Sequence, residues 1–331
     1  LAPGQDLPGA AVRLRAAEGY IAQVALQGDV KGRDLKLVKA MAAKITRGKP
    51  LRKRDMQRYL SLIRDIPGLT VEPNLLRGVE PGAVVLALNL KQKRMALDFA
   101  VNNAGSRILG RNQFQATANL YGLLREGDQT ALTVGAPSDI ERFQYYAITH
   151  SQPLGSEGLR IQANAAYLRT RPDNPPSRGS AKLAGVQLSY PLIRSYETNL
   201  YLTGGIDGLN SDNAVFGQGA ASERTRTLRA SAAFTHAKPK RALSASVVGS
   251  QGLKGLGART DPILARQDFQ KLNLKAGADQ ALGKVFVVRV RGMAQLSGDL
   301  LPASEQVSLG GTEFGRAFET ALVLGDRGYA G

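Results

Sequence analysis

The side chains in this sequence that could carry chemistry are few and scattered. Its two histidines, His150 and His236, lie in or beside strands or turns with no second ligand at metal spacing. Neither a zinc site nor a Ser-His-Asp arrangement is spelled out. Cysteine is absent, which removes thiolate chemistry and Cys-ligated metals. No pair of carboxylates stands out as a general acid and base. GLKGLG at 252–257 has glycines spaced like those of a phosphate loop, but it follows a strand at a hairpin tip and opens no helix. It reads as turn glycine. The sequence therefore predicts no enzyme and no cofactor.

What remains is charge. The formal net charge is +17, with Lys and Arg spread along the chain and no dense basic tract. Aromatic residues make up only 6% of the chain, so stacking platforms for single strands are scarce and nucleic acid is a poor fit. The other home for scattered cations is the wet interior of a β-barrel.

The elements that would position those cations follow from apolar spacing. Val12, Leu14 and Ala16 alternate with Arg13, Arg15 and Ala17, and Ile21, Val24 and Leu26 form a second alternating run. Leu35, Val38, Ala42 and Ile45 then recur at helical spacing, as do Met56, Tyr59, Leu60 and Ile63. Gly48-Pro50 and Pro67-Gly68 stop the two helices. Strand-like runs at 69–76 and 83–90 complete a β-α-α-β-β module from Tyr20 onward. Such a module is a spacer, or a docking unit that adds an extended peptide to its open sheet edge. Leu69 and Val71 on the edge strand, with Arg58 and Tyr59 on the second helix, would meet such a peptide.

Beyond Arg94 the period becomes two and stays there. In 159–167, Leu159, Ile161, Ala163, Ala165 and Tyr167 oppose Arg160, Gln162 and Asn164. In 228–234, Leu228, Ala230, Ala232 and Phe234 oppose Arg229 and Ser231. Lys271, Lys275, Arg289 and Arg291 fall on the polar face of 271–279 and 286–296. Segments of roughly ten residues with one apolar and one polar face predict transmembrane β-strands with Arg160, Arg229, Lys271, Lys275, Arg289 and Arg291 in the lumen. A soluble sandwich also alternates, but an Ala-rich apolar face is thin for a core and adequate against lipid. No apolar run reaches the length of about 18 residues that a transmembrane helix needs. The opening residues lack a signal peptide. About eleven strands are legible, and barrels use even numbers because open edges fail in lipid. Both ends are therefore expected to be cut, with the missing strands beyond Gly331.

The stretch 301–331 is long for a loop and carries Gly310-Gly311, Arg316 beside Gly315 and Phe318, and Gly325-Asp326-Arg327-Gly328-Tyr329. An Arg beside a basic lumen would be repelled unless it found a carboxylate. The expectation is a loop folded back into the barrel and pinned by an ion pair.

SEQVSLGG, GRAFE and GDRGYAG in this stretch resemble the loop of two-partner secretion outer-membrane transporters, the haemolysin secretion/activation proteins of the POTRA-plus-barrel superfamily. That loop usually reads Val-Arg-Gly-Phe or Val-Arg-Gly-Tyr; here Gly315-Arg316-Ala317-Phe318 keeps the Arg and the aromatic but not the Val or the Gly. SYPLIRSYETNLYL at 189–202 and GLKGLGARTDPILARQDFQKL resemble further family segments, and the front end resembles POTRA strands. The resemblance implies the tail of one POTRA domain at 1–18, a second POTRA domain at 19–92, and a transmembrane antiparallel barrel, incomplete at its C-terminal end, from 93 to 331. It implies a barrel of roughly sixteen strands that sits in the outer membrane with its POTRA domain in the periplasm. Its partners would be the lipid bilayer and a large β-helical exoprotein, such as a haemolysin or adhesin, captured in extended form, and not nucleic acid. The loop residues Gly310, Gly311, Arg316, Phe318, Asp326 and Gly328 would help hold the conducting state. Arg316 would pair with an acid on a later strand, with Asp326 as a substitute. Two other functions compete: an assembly factor of the same superfamily that inserts other barrels, and a soluble basic β-rich binding protein.

Overall fold

The helical spacing of 34–45 and 53–64 buries one stripe of each helix against a small sheet. In the computed structural model, which describes residues 18–28, 30, 34–103, 105–173, 176–215, 218–311, 313–318 and 321–331, these are α1 (Asp34–Ile45) and α2 (Lys53–Arg64). Side chains of 215–221 lie outside that description, as do the strand expected at 12–17 and nearly all of the tail expected at 1–18. The sheet contains β1 (Tyr20–Gln27), β2 (Leu69–Arg77) and β3 (Ala83–Gln92) in the order β1-β3-β2. β3 runs parallel to β1 and antiparallel to β2, so β2 is an edge strand. Val38, Ile45, Leu60, Ile63, Leu86 and Leu88 form the heart of the core. Each such apolar side chain contributes about 1.5–3 kcal/mol by leaving water.

The remaining chain is built on alternation. β4 (Met95–Asn102), β5 (Gln113–Tyr121), β6 (Gln129–Pro137), β7 (Phe143–Pro153), β8 (Arg160–Thr170) and β9 (Ser177–Arg194) follow in sequence. Then come β10 (Thr198–Val215), β11 (Gln218–Lys238), β12 (Arg241–Gly252), β13 (Gln270–Leu282) and β14 (Phe286–Ser297). Each pairs antiparallel with its successor. A short hairpin of β15 (Val307–Leu309) and β16 (Val323–Gly325) precedes β17 (Gly328–Ala330), which returns to pair with β14.

The result is a 12-stranded sheet running from β17 through β14 to β4. The twelfth strand was not legible because β17 spans 3 residues, too few for a period-two pattern. No helix among the described residues is long and apolar enough to cross a membrane.

The sheet's burial is inverted relative to a soluble fold. Phe99 is 77% exposed, Val290 62% and Leu228 51%, all on the apolar face. Among the described residues, the buried polar groups Asn119, Thr227, Ser250 and Gln295 lie on the other face.

Candidate functional site

The polar face of β10 to β14 gathers cations that need counter-charge, because an unpaired buried charge is costly. Asp207 on β10 and Arg229 on β11 meet through two contacts of 2.6 and 3.1 Å. The remaining demand is met by the connection after β14. That loop turns through a 3₁₀ segment at Ala303–Glu305 and folds back onto the wall. Glu305 is 4% exposed. Its Oε1 accepts from Arg229 Nη2 at 2.6 Å, and its Oε2 lies 2.8 Å from Lys271 Nζ. Burial would raise the Glu305 carboxyl, but the hydrogen bonds and charges of Arg229 and Lys271 outweigh it and hold it below the usual glutamate range.

The loop is fastened around this point. Lys271 Nζ and Gln295 Nε2 donate to the Glu305 carbonyl at 2.7 and 3.1 Å. Ala303 N donates to Glu223 Oε2 at 2.9 Å, and Ser304 Oγ donates to the same carboxylate. Leu301 and Val307 of this connection are buried, as is Phe269. Lys275 meets Glu313 of the loop at 2.5 Å.

Asp326 Oδ1 accepts from Leu301 N at 2.9 Å and from Gln306 Nε2 at 3.0 Å, so this acid stitches the base of the loop together. Gly328 pairs with Gln295 in the sheet. Around Arg316 the chain turns tightly: Gly310 N donates to the Phe314 carbonyl, Gly311 N to that of Phe318, and Phe318 N to that of Gly315. Phe318 is exposed.

The sequence-predicted cations thus separate into three groups. Arg229, Lys271 and Lys275 converge on the loop, whereas Arg289 and Arg291 pair with Asp279 at 3.4 and 2.5 Å. Arg160 donates to the Gly127 carbonyl and to Ser151 Oγ at the opposite end. The anchor that sequence reasoning missed is Glu305. It lies in the quoted SEQVSLGG segment, and its signal was the excess of wall cations over wall acids. A loop acid is thus pinned against wall cations.

At the far end of the strands, the α/β domain docks on successive turns. Glu126, between β5 and β6, accepts from Lys36 N and Leu37 N at 2.7 and 2.8 Å, capping the first turn of α1. Glu157, between β7 and β8, pairs with Lys44 and accepts from Tyr59 Oη at 3.1 Å. Arg58 donates to the Pro191 and Glu157 carbonyls, and Arg194 grips Asp65 through contacts of 2.6 and 2.7 Å. Gly127 and Gly158 allow this approach, since a Cβ would sit 2.9 Å from Leu37 Cδ2 in the first case and 2.6 Å from Leu62 Cδ2 in the second. Both also have positive φ, which favours glycine.

The expected peptide-contacting set is corrected accordingly. Arg58 and Tyr59 face the sheet's turns, and the side chains of Leu69 and Val71 lie in the core. Of that expected set, the β2 edge still offers its backbone to a strand.

The histidines and the glycine-rich segment are structural. His150 and His236 each bond a threonine hydroxyl through Nδ1 at 2.9 Å. Lys254, within GLKGLG, pairs with Asp268 at 2.7 Å in the loop between β12 and β13.

A small α/β domain joined to a large antiparallel sheet with a loop latched to its polar face defines a class of barrel-type β proteins. Within that class, the chain belongs to the haemolysin secretion/activation protein ShlB/FhaC/HecB family, whose model matches residues 82–330. Its relatives include the outer membrane transporter CdiB of Escherichia coli O6:K15:H31 (strain 536 / UPEC), 24% identical over 98% of this chain and 57% of the relative. The heme/hemopexin transporter protein HuxB of Haemophilus influenzae (strain 86-028NP) is 20% identical over 99% of this chain and 60% of its own length.

Among solved structures, CdiB from Escherichia coli superposes with a TM-score of 0.79 at 22% identity, covering 95% of this chain and 60% of that one. BamA from Haemophilus ducreyi lacking POTRA domains 1–3 gives a TM-score of 0.54 at 14% identity, covering 89% of this chain and 59% of that one. The chain therefore spans under two thirds of the length of these relatives.

Proposed function

We propose that this chain is the greater part of an outer-membrane transporter that recognises and secretes one large partner exoprotein by two-partner secretion. The α/β domain lies in the periplasm, and the sheet belongs to the export barrel. The observation that carries this reading is the loop latched into the polar face by Glu305, Arg229 and Lys271, within a chain of the haemolysin secretion/activation family. A polar wall on which a loop is held by ion pairs suits a conduit that must be plugged at rest and opened in use. The partner is β-helical and passes in extended form, with a strand of it added to the free edge of β2. The relatives, an outer membrane transporter and a heme/hemopexin transporter protein, support the export reading.

The test is export of the cognate partner by the full-length protein carrying Arg316→Ala. Reduced partner in the medium with the barrel still inserted is the expected result; unchanged export would refute the loop's role. The BamA-like fold favours a second reading, insertion of other barrels into the membrane. Loss of several unrelated outer-membrane proteins on deletion of the gene, with partner export intact, would select it.

A further inference from the structure

The apolar face of the sheet does not stay apolar along its whole height. Across β9 to β11, its middle carries Val186, Ile206 and Leu228 as direct cross-strand neighbours, all exposed. Moving away from the α/β domain, the face reaches a rung on which Tyr146, Tyr167, Lys182, Asn210 and Arg224 are successive cross-strand partners from β7 to β11. Arg169 and Arg178 follow on the same face, two and four residues further along β8 and β9. Aromatic residues at the edge of an apolar band mark a membrane boundary. Here the boundary opens onto cations.

Among the described residues, Arg169, Arg178, Lys182 and Arg224 make no side-chain hydrogen bond or ion pair. Nearby charges are otherwise engaged. Arg226 donates to the Leu256 carbonyl and to Asn210 Oδ1, each at 3.0 Å. Arg142 pairs with Asp139 and Asp173, and Asp212 accepts from Ser222 Oγ at 2.7 Å. Neighbouring strands lie about 4.8 Å apart, so like charges on adjacent rungs repel. Beside a hydrocarbon layer that repulsion is poorly screened. An anion lying over the rungs would remove it.

We propose that this face binds the phosphate groups of anionic lipid headgroups in the leaflet away from the α/β domain. The inference rests on the reading that the sheet spans the outer membrane. Lysine and arginine stems lie along the apolar wall while their heads reach the headgroup layer. Each basic residue near an anionic surface contributes roughly fivefold in affinity.

The test uses the full-length protein in neutral detergent, incubated with a bis-phosphorylated glucosamine lipid or the same lipid after phosphatase treatment. Native mass spectrometry then counts the bound lipid. The wild type is expected to retain the phosphorylated form preferentially. The triple variant Arg169→Gln/Lys182→Gln/Arg224→Gln is expected to lose that retention by about tenfold or more. The charge-keeping variant Arg169→Lys/Lys182→Arg/Arg224→Lys should retain it.

Equal retention by the Gln variant, or equal retention of the phosphate-free lipid by the wild type, overturns the inference. Displacement of the lipid by equimolar inorganic phosphate also overturns it, because the site would then take a free anion. A parallel assay of insertion into phosphatidylcholine vesicles separates the two levels. Failure of the wild type to insert defeats the membrane reading itself, whereas insertion without phosphate discrimination defeats only the lipid site.

Discussion

The α/β domain and the large sheet use the same apolar residue types in opposite directions. In the domain, Leu60, Ile63, Leu86 and Leu88 point into a closed core and are essentially inaccessible. In the sheet, Leu228, Val186 and Phe99 point outward, and polar Thr227, Ser250 and Gln295 are buried on the inner face. The domain is held by removing hydrocarbon from water, and the sheet by backbone pairing with an inner network of charge and hydrogen bonds. A substitution that damages one region should therefore be mild in the other.

The sharpest way to break that contrast is Glu305→Ala. Removing one partner of a buried charge cluster leaves Lys271 uncompensated and is expected to destabilise the closed loop by about 3–5 kcal/mol. Protease cleavage within 301–327, fast in the variant and slow in the wild type, is the measurement. Equal cleavage would mean that the latch does not hold the loop.

Next comes a paired comparison of leucines. Leu86→Ala should destabilise the α/β domain by about 2–5 kcal/mol, read by hydrogen exchange along β3, whereas Leu228→Ala on the exposed apolar face should leave exchange in β11 nearly unchanged. A large loss at Leu228 would show that this face is packed against protein.

Smaller is the effect of Asp65→Asn, which weakens the grip of Arg194 on the domain. A partly exposed pair of this kind contributes about 0.2–1 kcal/mol, and a spin-label distance between domain and sheet should broaden without unfolding. An unchanged distance distribution would assign the docking to Glu126, Glu157 and Arg58.

The smallest expected change is with pH. The hydrogen bond from Lys44, joined by that of Tyr59 and opposed by burial, holds the Glu157 carboxyl below its ordinary value of 4.5. A depressed carboxyl contributes stability that is complete above pH 4.5 and lost as pH falls through the folded value. The same distance should thus be stable above pH 4.5 and loosen below it; loosening on the alkaline side would contradict this origin.

Much of the architecture was readable because it is periodic. Ala42 and Ile45 on one helix, and Leu272 and Leu274 against Lys271 and Asn273 on one strand, announce their faces within a few residues. The latch was not readable in that way. Glu305 meets Arg229 across 76 positions and Lys271 across 34, so its role depends on strand register and on where the loop turns back. Arg58 and Tyr59 were misread for a related reason. Their helix face is polar enough for solvent, and only the arrival of the turn at Glu157 makes it an internal contact.

The docking turns have a mechanical consequence. The domain hangs from the β5–β10 side of the sheet, and Asp65 is tied to β9 by Arg194. β9 is zipped to β10 over nearly its whole length, and β10 supplies Asp207, the brace of the arginine that grips the loop. Handle, beam and catch are thus connected in series. A force applied at the β2 edge would reach, through Asp65, β9 and β10, the wall on which the catch is mounted.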